Sequence, residues 1–321
     1  MKTILVGGKA FDDVSKKNAW NVFEAAVLLE LDGDAITRRL EYRGGAYDEE
    51  AGISRCFKAG TIHDGSLYTV TNTEVVRIDL DRFEIVDKFS HRLFNDLHHV
   101  NVIGERLYVV STGIDEVLEF TMDFRFVDRF ATAGGEVISR FGPDSDFRLV
   151  PYTKPHEEHP NFVTAIDGRP FATCLKSGTL RSLDGKDAIA ISDDPIHDGI
   201  PHGDSLVFTT VTGKLVTLDT ADRSVATYDI NKPANSLKPL GWCRGLDFAP
   251  TGEVVVGFSK LRQTPNRENI SVLKKWAQQM KTLAVMPTRL VTVDTAGNTI
   301  RDGASLNEKG IDAIFSVHVM P

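Results

Sequence analysis

Residues 98–120 read HHVNVIGERLYVVSTGIDEVLEF. Two histidines open an apolar run, a turn at Gly104 reverses it, LYVVST forms a second run and DEVLEF a third, and FRFVDRF (124–130) completes a fourth. The alternation in VLEF is the period-two signal of a half-buried strand. The order recurs in 61–80 (TIHDGSLYTVTNTEVVRIDL), 160–183 (PNFVTAIDGRPFATCLKSGTLRSL) and 197–219 (HDGIPHGDSLVFTTVTGKLVTLD), and opens again in 245–259 (GLDFAPTGEVVVGFS). The anchors Leu67, Leu107, Phe171, Leu206 and Val254 lie roughly 35–65 residues apart. A period near 40 residues with four short strands each predicts an all-β fold, a closed β-propeller. Gly65, Gly104, Gly168, Gly203 and Gly252 fall in the turn after each first strand, where positive φ is cheap only for glycine.

The two ends predict how the ring closes. IDAIFSVHVM (311–320) has the pattern of a first strand with nothing after it, whereas TILVGG, NVFEAAVLLELD and AITRRLEYR near the N-terminus supply three strands without a first. A last blade built from both termini would leave no open sheet edge. With it the count is six, five or seven staying open because the third and fifth repeats are irregular, and residues 1–321 are expected to form a single domain. Two insertions interrupt the rhythm. Residues 131–158 form a long polar connection, and 266–282 (NRENISVLKKWAQQMKT) carry Ile270, Leu273, Trp276, Ala277 and Met280 at helical spacing.

The net charge of −8 argues against nucleic acid or an anionic membrane surface as partner. No apolar run approaches the roughly 18 residues of a membrane span, and the N-terminal apolar stretch is too short for a secretory signal. A cytoplasmic location is therefore expected. Cys56, Cys174 and Cys243 are widely spaced, odd in number and without CxxC pairing, which points to buried thiols.

Chemistry concentrates before and within the first strands. His98, His99, His156, His159, His197 and His202 gather there, with Asn101 and Asn161 each two positions after a histidine. Period-two geometry places His99 with Asn101, and His159 with Asn161, on one strand face. WCRGLDF adds Arg244 and Asp247, and the last strand adds Asp312. If the blades superpose, His98, His159, Asn161, His202 and Arg244 converge at one mouth of the channel. Such a group can hold a divalent metal or set an acid and a base across a substrate. Calcium, manganese and zinc all remain open as cofactor, since the HEEH at 156–159 sits on a loop and lacks the zinc-protease helix. No nucleophile elbow and no phosphate loop is present. The 131–158 connection must end near the axis, so a mobile polar cover over the pocket is expected, with Arg140, Arg148 or His156 reaching the ligand.

NDLHHVNVIGERLYVVSTG, HPNFVTAIDGRPFATCL, IHDGIPHGDSLVFTTVTGKLVTLD and WCRGLDFAPTGEVVVGFSKLR, in that order, resemble an uncharacterised bacterial β-propeller family of the DUF4915 type. The resemblance covers about residues 95–262. It implies site roles for Asp96 and His98, for His159 and Asn161, for Pro201 and His202, and for Arg244, Gly245, Ser259 and Lys260. HPN stands where the family has HLN, and PHGD where it has PHSP. A looser likeness to six-bladed gluconolactonase-type propellers implies an axial ion, held by Asn101 and Asn161 with Glu24 or Asp247.

Two functions of different class follow. The first is an enzyme, a hydrolase or lyase, acting on a small sugar-like or carboxylate-bearing substrate. His98, His159, His202 and Arg244 would be catalytic, and Asp96, His99, Asn101, His156, Asn161, His197 and Arg148 would bind the substrate. The second is a non-catalytic propeller that binds a ligand or a protein partner. Oligomeric state is left open.

Overall fold

Alternating apolar residues separated by glycine turns fold here into six four-stranded antiparallel sheets. The computed structural model describes residues 1–11, 23–45, 47, 55–142, 144–234, 240–260 and 286–321. Blade 1 orders its strands Ala313–Val319, Lys2–Ala10, Phe23–Asp32 and Ala35–Tyr42, so both termini share one sheet. Blades 2 to 6 span residues 61–89, 97–131, 160–190, 196–229 and 242–302. Their inner strands are Thr61–His63, Leu97–Ile103, Pro160–Ile166, Ile196–His202 and Trp242–Phe248. The six-bladed all-β propeller is thus the fold. The helix expected at 266–282 lies outside the described residues.

Six apolar cores, one between each pair of neighbouring blades, close the ring. Val70 and Val75 of blade 2 meet Val100 and Leu107 of blade 3. Tyr108 and Val110 meet Val163 and Ala172, and Phe171 and Leu180 meet Leu206 and Phe208. Val207 and Leu215 pack with Leu246 and Val256, then Val255 with Leu5, Val27 and Ile314. Ile4, Val6 and Leu28 finally reach Phe57, Leu67 and Ile78. The inner-strand turns use left-handed backbone at Gly65, Gly104, Gly168, Gly203 and Gly252 (φ between +58° and +87°), as the glycine positions require.

The 131–158 connection differs from the mobile polar cover expected of it. It contains a short helix, Glu136–Phe141, and a 3-10 turn, Phe147–Leu149. Val137 and Phe147 are buried in the core shared by blades 2 and 3. Phe147 donates its N–H to the carbonyl of Arg92. Arg140 is spent on the carbonyls of Thr153, Lys154 and Pro155. A solvated RFGPDSDFR composition hid one phenylalanine that wedges the segment down. Phe147→Leu is expected to cost about 1–2 kcal/mol in urea unfolding. An unchanged midpoint would show that the segment is not part of the core.

Candidate functional site

Side chains from all six blades gather where the inner strands begin. Lys58 leads into blade 2, Asp96 and His98 stand at the entry to blade 3, His159 just precedes blade 4, and His197, Arg244 and Phe315 lie on the inner strands of blades 5, 6 and 1. The His98 ring lies 5.2 Å from that of His159 and 5.9 Å from that of His197. His197 lies 6.4 Å from Phe315, over which the Arg244 guanidinium sits at 4.5 Å. Lys58 Nζ donates to Asp96 Oδ1 at 2.5 Å. His156, at the end of the 131–158 connection, meets His159 with Nδ1 to Nδ1 at 2.7 Å.

Burial sets the charges of this group. It lowers His98 to about 3, helped by the Lys58 charge. It drives His159 and His197 well below the usual imidazole range, with His98 adding for the first and Arg244 for the second. His156 is lowered for the same reason. The rings are therefore neutral near neutral pH, bases rather than cations. Burial would raise Asp96, but the Lys58 charge and its hydrogen bond outweigh it and hold the carboxyl well below its ordinary value. Burial pulls Arg244 down to about 10, which still leaves it charged.

Backbone positioning explains why these side chains meet. Asp115 accepts the N–H groups of Glu157, Glu158 and His159 at 2.6, 3.3 and 2.7 Å, pinning the entry to blade 4 and His159 in left-handed backbone (φ +56°). Gly113 lets Asn95 approach so closely that a Cβ would lie 1.9 Å from Asn95 Oδ1.

Of the residues singled out in the sequence, Asp96, His98, His156, His159, His197 and Arg244 come together. His202 does not. It lies five residues further along the same inner strand as His197, about 16 Å at the rise of a strand, exposed and stacked on Phe248 at 3.5 Å. Asn101, Asn161 and His99 clasp neighbouring inner strands. Asn101 Nδ2 donates to the carbonyl of Val163 and Asn161 Nδ2 to that of Ile196. His99 Nδ1 accepts the Val163 N–H. Arg148 pairs with Asp146 and lies over the Tyr47 ring at 3.8 Å. Glu24 pairs with Arg43 and Lys9, Asp247 accepts the Val319 N–H, and Asp312 accepts the Ala10 N–H.

Lys58 and Phe315 were not singled out. Counting back from a turn glycine comes near one of them: Gly104 to His98 is six residues, Gly203 to His197 is six and Gly65 to Lys58 is seven, whereas Gly168 to His159 is nine and Gly252 to Arg244 is eight.

Among the described residues no group of three or more His, Cys, Asp or Glu is placed to hold a metal ion. All three cysteines are buried, and burial pushes the Cys174 thiol up to about 12. No helix among the described residues is long and apolar enough to cross a membrane.

No protein-family model and no curated protein matches the chain. Solved structures match its fold. A protein of unknown function from Bacteroides caccae aligns with TM-score 0.58 at 9% identity, over 98% of this chain and 97% of that one. A chain of a nidogen/laminin complex aligns with TM-score 0.58 at 8% identity, over 99% and 97%. Streptogramin B lyase aligns with TM-score 0.53 at 10% identity, over 98% and 96%. At such identities the likeness shows a shared propeller fold, on which function is not conserved.

Proposed function

We propose that the axial group binds a small polar anion and that the protein is an enzyme acting on it by hydrolysis or elimination. Arg244 would hold the anionic group, and an imidazole of His98, His159 or His197 would take up a proton. The observation that supports this is Arg244 itself. It stands inside the ring with no hydrogen-bond acceptor or carboxylate paired to it among the described residues, and its Nε is buried without a partner. Arg244 is half-buried; a buried donor left unpaired, as its Nε is, is costly, and a ligand carboxylate satisfies Nε and one Nη through two parallel hydrogen bonds. The Nδ1 of His197 is likewise buried without a partner.

Streptogramin B lyase has the same fold, and that likeness is compatible with a lyase without selecting one. The resemblance to the DUF4915 type belongs to the same proposal. Asp96, His98, His159 and Arg244, which carry much of it, are the residues that meet at the axis, whereas His202 lies apart. A cytoplasmic location is part of the same proposal, in keeping with three buried cysteine thiols.

Thermal shift with a panel of gluconate, glucuronate, glucose and short carboxylates tests the reading. At least one anion is expected to raise Tm, and Arg244→Met is expected to abolish the rise, since losing one bidentate contact of this kind costs tenfold or more in affinity. Stabilisation by neutral glucose alone, or an equal rise in the variant, would overturn it.

A further inference from the structure

We infer that a chain of three buried side chains, Asn95–Thr153–His156, fixes the tautomer of the half-buried His159 with the proton on Nδ1 and a lone pair on Nε2, and that Asn95 and Thr153 are positioning residues for this base. The inference rests on the reading of the axial group as a ligand site, and it deepens that reading by naming which imidazole is set as a base and by what.

Each link has one assignment that satisfies its neighbours. Asn95 Nδ2 donates to the carbonyls of Phe147 and Val150 at 2.7 and 2.8 Å. Both are acceptors only, so the amide cannot be flipped and Oδ1 faces Thr153. Thr153 Oγ1 lies 3.3 Å from that oxygen and spends its single proton there. Its lone pair then faces His156 Nε2 at 3.1 Å, which must carry a proton. A neutral His156 has no second proton, so its Nδ1 accepts, and the proton in the 2.7 Å contact belongs to His159 Nδ1. Asn95, Thr153 and His156 are each at most 4% exposed, so water does not compete for the links among these three, and His159 beyond them is half-buried. The lone pair left on His159 is at Nε2, which has no hydrogen bond among the described residues.

His98 reaches the same state by a shorter route. Its Nδ1 lies 2.8 Å from the Asp96 carbonyl, an acceptor, and so carries the proton. Blades 3 and 4 therefore present two imidazole lone pairs, while blade 6 presents the donors of Arg244. A ligand that fits carries an anionic group at one end and a proton to give, a hydroxyl or an acidic C–H, at the other. The 131–158 segment supplies Phe147, Val150, Thr153 and His156 to this arrangement, which gives it a role at the site that differs from covering it.

NMR of the full chain with isotope-labelled histidine nitrogens reads the tautomers directly, with peaks assigned from His156→Gln and His159→Gln. At neutral pH, His159 and His98 are expected as the Nδ1–H form and His156 as the Nε2–H form. In Thr153→Val, which keeps the side-chain shape and removes the acceptor, His159 is expected to move to a mixture of forms, and Thr153→Ser is expected to restore the single form. His159 found as the Nε2–H form in the unaltered protein would overturn the inference, whatever the variants do. An unchanged His159 tautomer in a folded Thr153→Val would overturn the role of Thr153. Failure of every anion to bind would sink the ligand-site reading while leaving these tautomers as stated, so the two can fail separately.

Discussion

Asp96→Asn is expected to destabilise the protein by about 3–5 kcal/mol in urea unfolding, because it leaves an ammonium buried without a counter-charge. Lys58 is 1% exposed, and Asp96 is its one hydrogen-bond acceptor among the described residues. Asparagine keeps the shape and tolerates the left-handed backbone of this position (φ +47°), so the loss isolates the charge. Lys58→Met should cost less, since Asp96 keeps 30% of its side chain accessible and can rehydrate. The double variant Lys58→Met, Asp96→Asn should recover much of the loss. Single variants within about 0.5 kcal/mol of the parent, the range of an ordinary surface change, would show that the pair is not desolvated.

Acid is expected to unfold the protein unusually early. His98 and His99 are lowered to about 3 and His318 to about 4, all chiefly by burial, and burial likewise drives His159 and His197 well below the ordinary value. Each binds a proton on unfolding at any pH between its folded value and about 6.5. Their stability is therefore present above about pH 6.5 and lost as pH falls through that window. Two carboxyls run the other way. Burial raises Asp198 to about 8 and Glu116 to about 7, so their stability is present in acid and lost as pH rises through those values. The lowered histidines outnumber the raised acids, so unfolding takes up protons in acid and stability falls with pH there. Urea midpoints measured across pH should peak near about pH 6.5 and fall steeply below it. A flat profile from about pH 5 to 7 would contradict the burial of these rings.

The fold was legible because its signals are local. Strand alternation, turn glycines and an orphan strand at 311–320 each follow from a few neighbouring residues, and together they fix six blades and the closure. The site was legible where a residue opens an inner strand, as His98, His159 and His197 do. It failed where one strand serves two places. His197 and His202 share a strand, and composition does not say which end of the channel each occupies. The spacing of His99 with Asn101 and the presence of Asn161 were visible as polar groups on inner strands, but hydrogen bonding across blades is non-local. Their carbonyl partners, Val163 and Ile196, are ordinary apolar residues that carry no signal. Lys58 was hidden because it lies three residues before the strand Thr61–His63, and Phe315 looked like core. The Asn95–Thr153–His156 chain joins residues more than fifty positions apart, a relation only the folded backbone reveals.

The central claim is that Arg244 is an unpaired cation waiting at the propeller axis for an anion. A crystal soaked in bromide and measured at the bromine absorption edge tests it with a probe whose position is unambiguous. The expected result is an anomalous peak within hydrogen-bond reach of the Arg244 guanidinium, on the side shared with His197 and Phe315, and its loss in Arg244→Met. Bromide bound at surface arginines with none at the axis, or a protein carboxylate found already paired to Arg244, would contradict it.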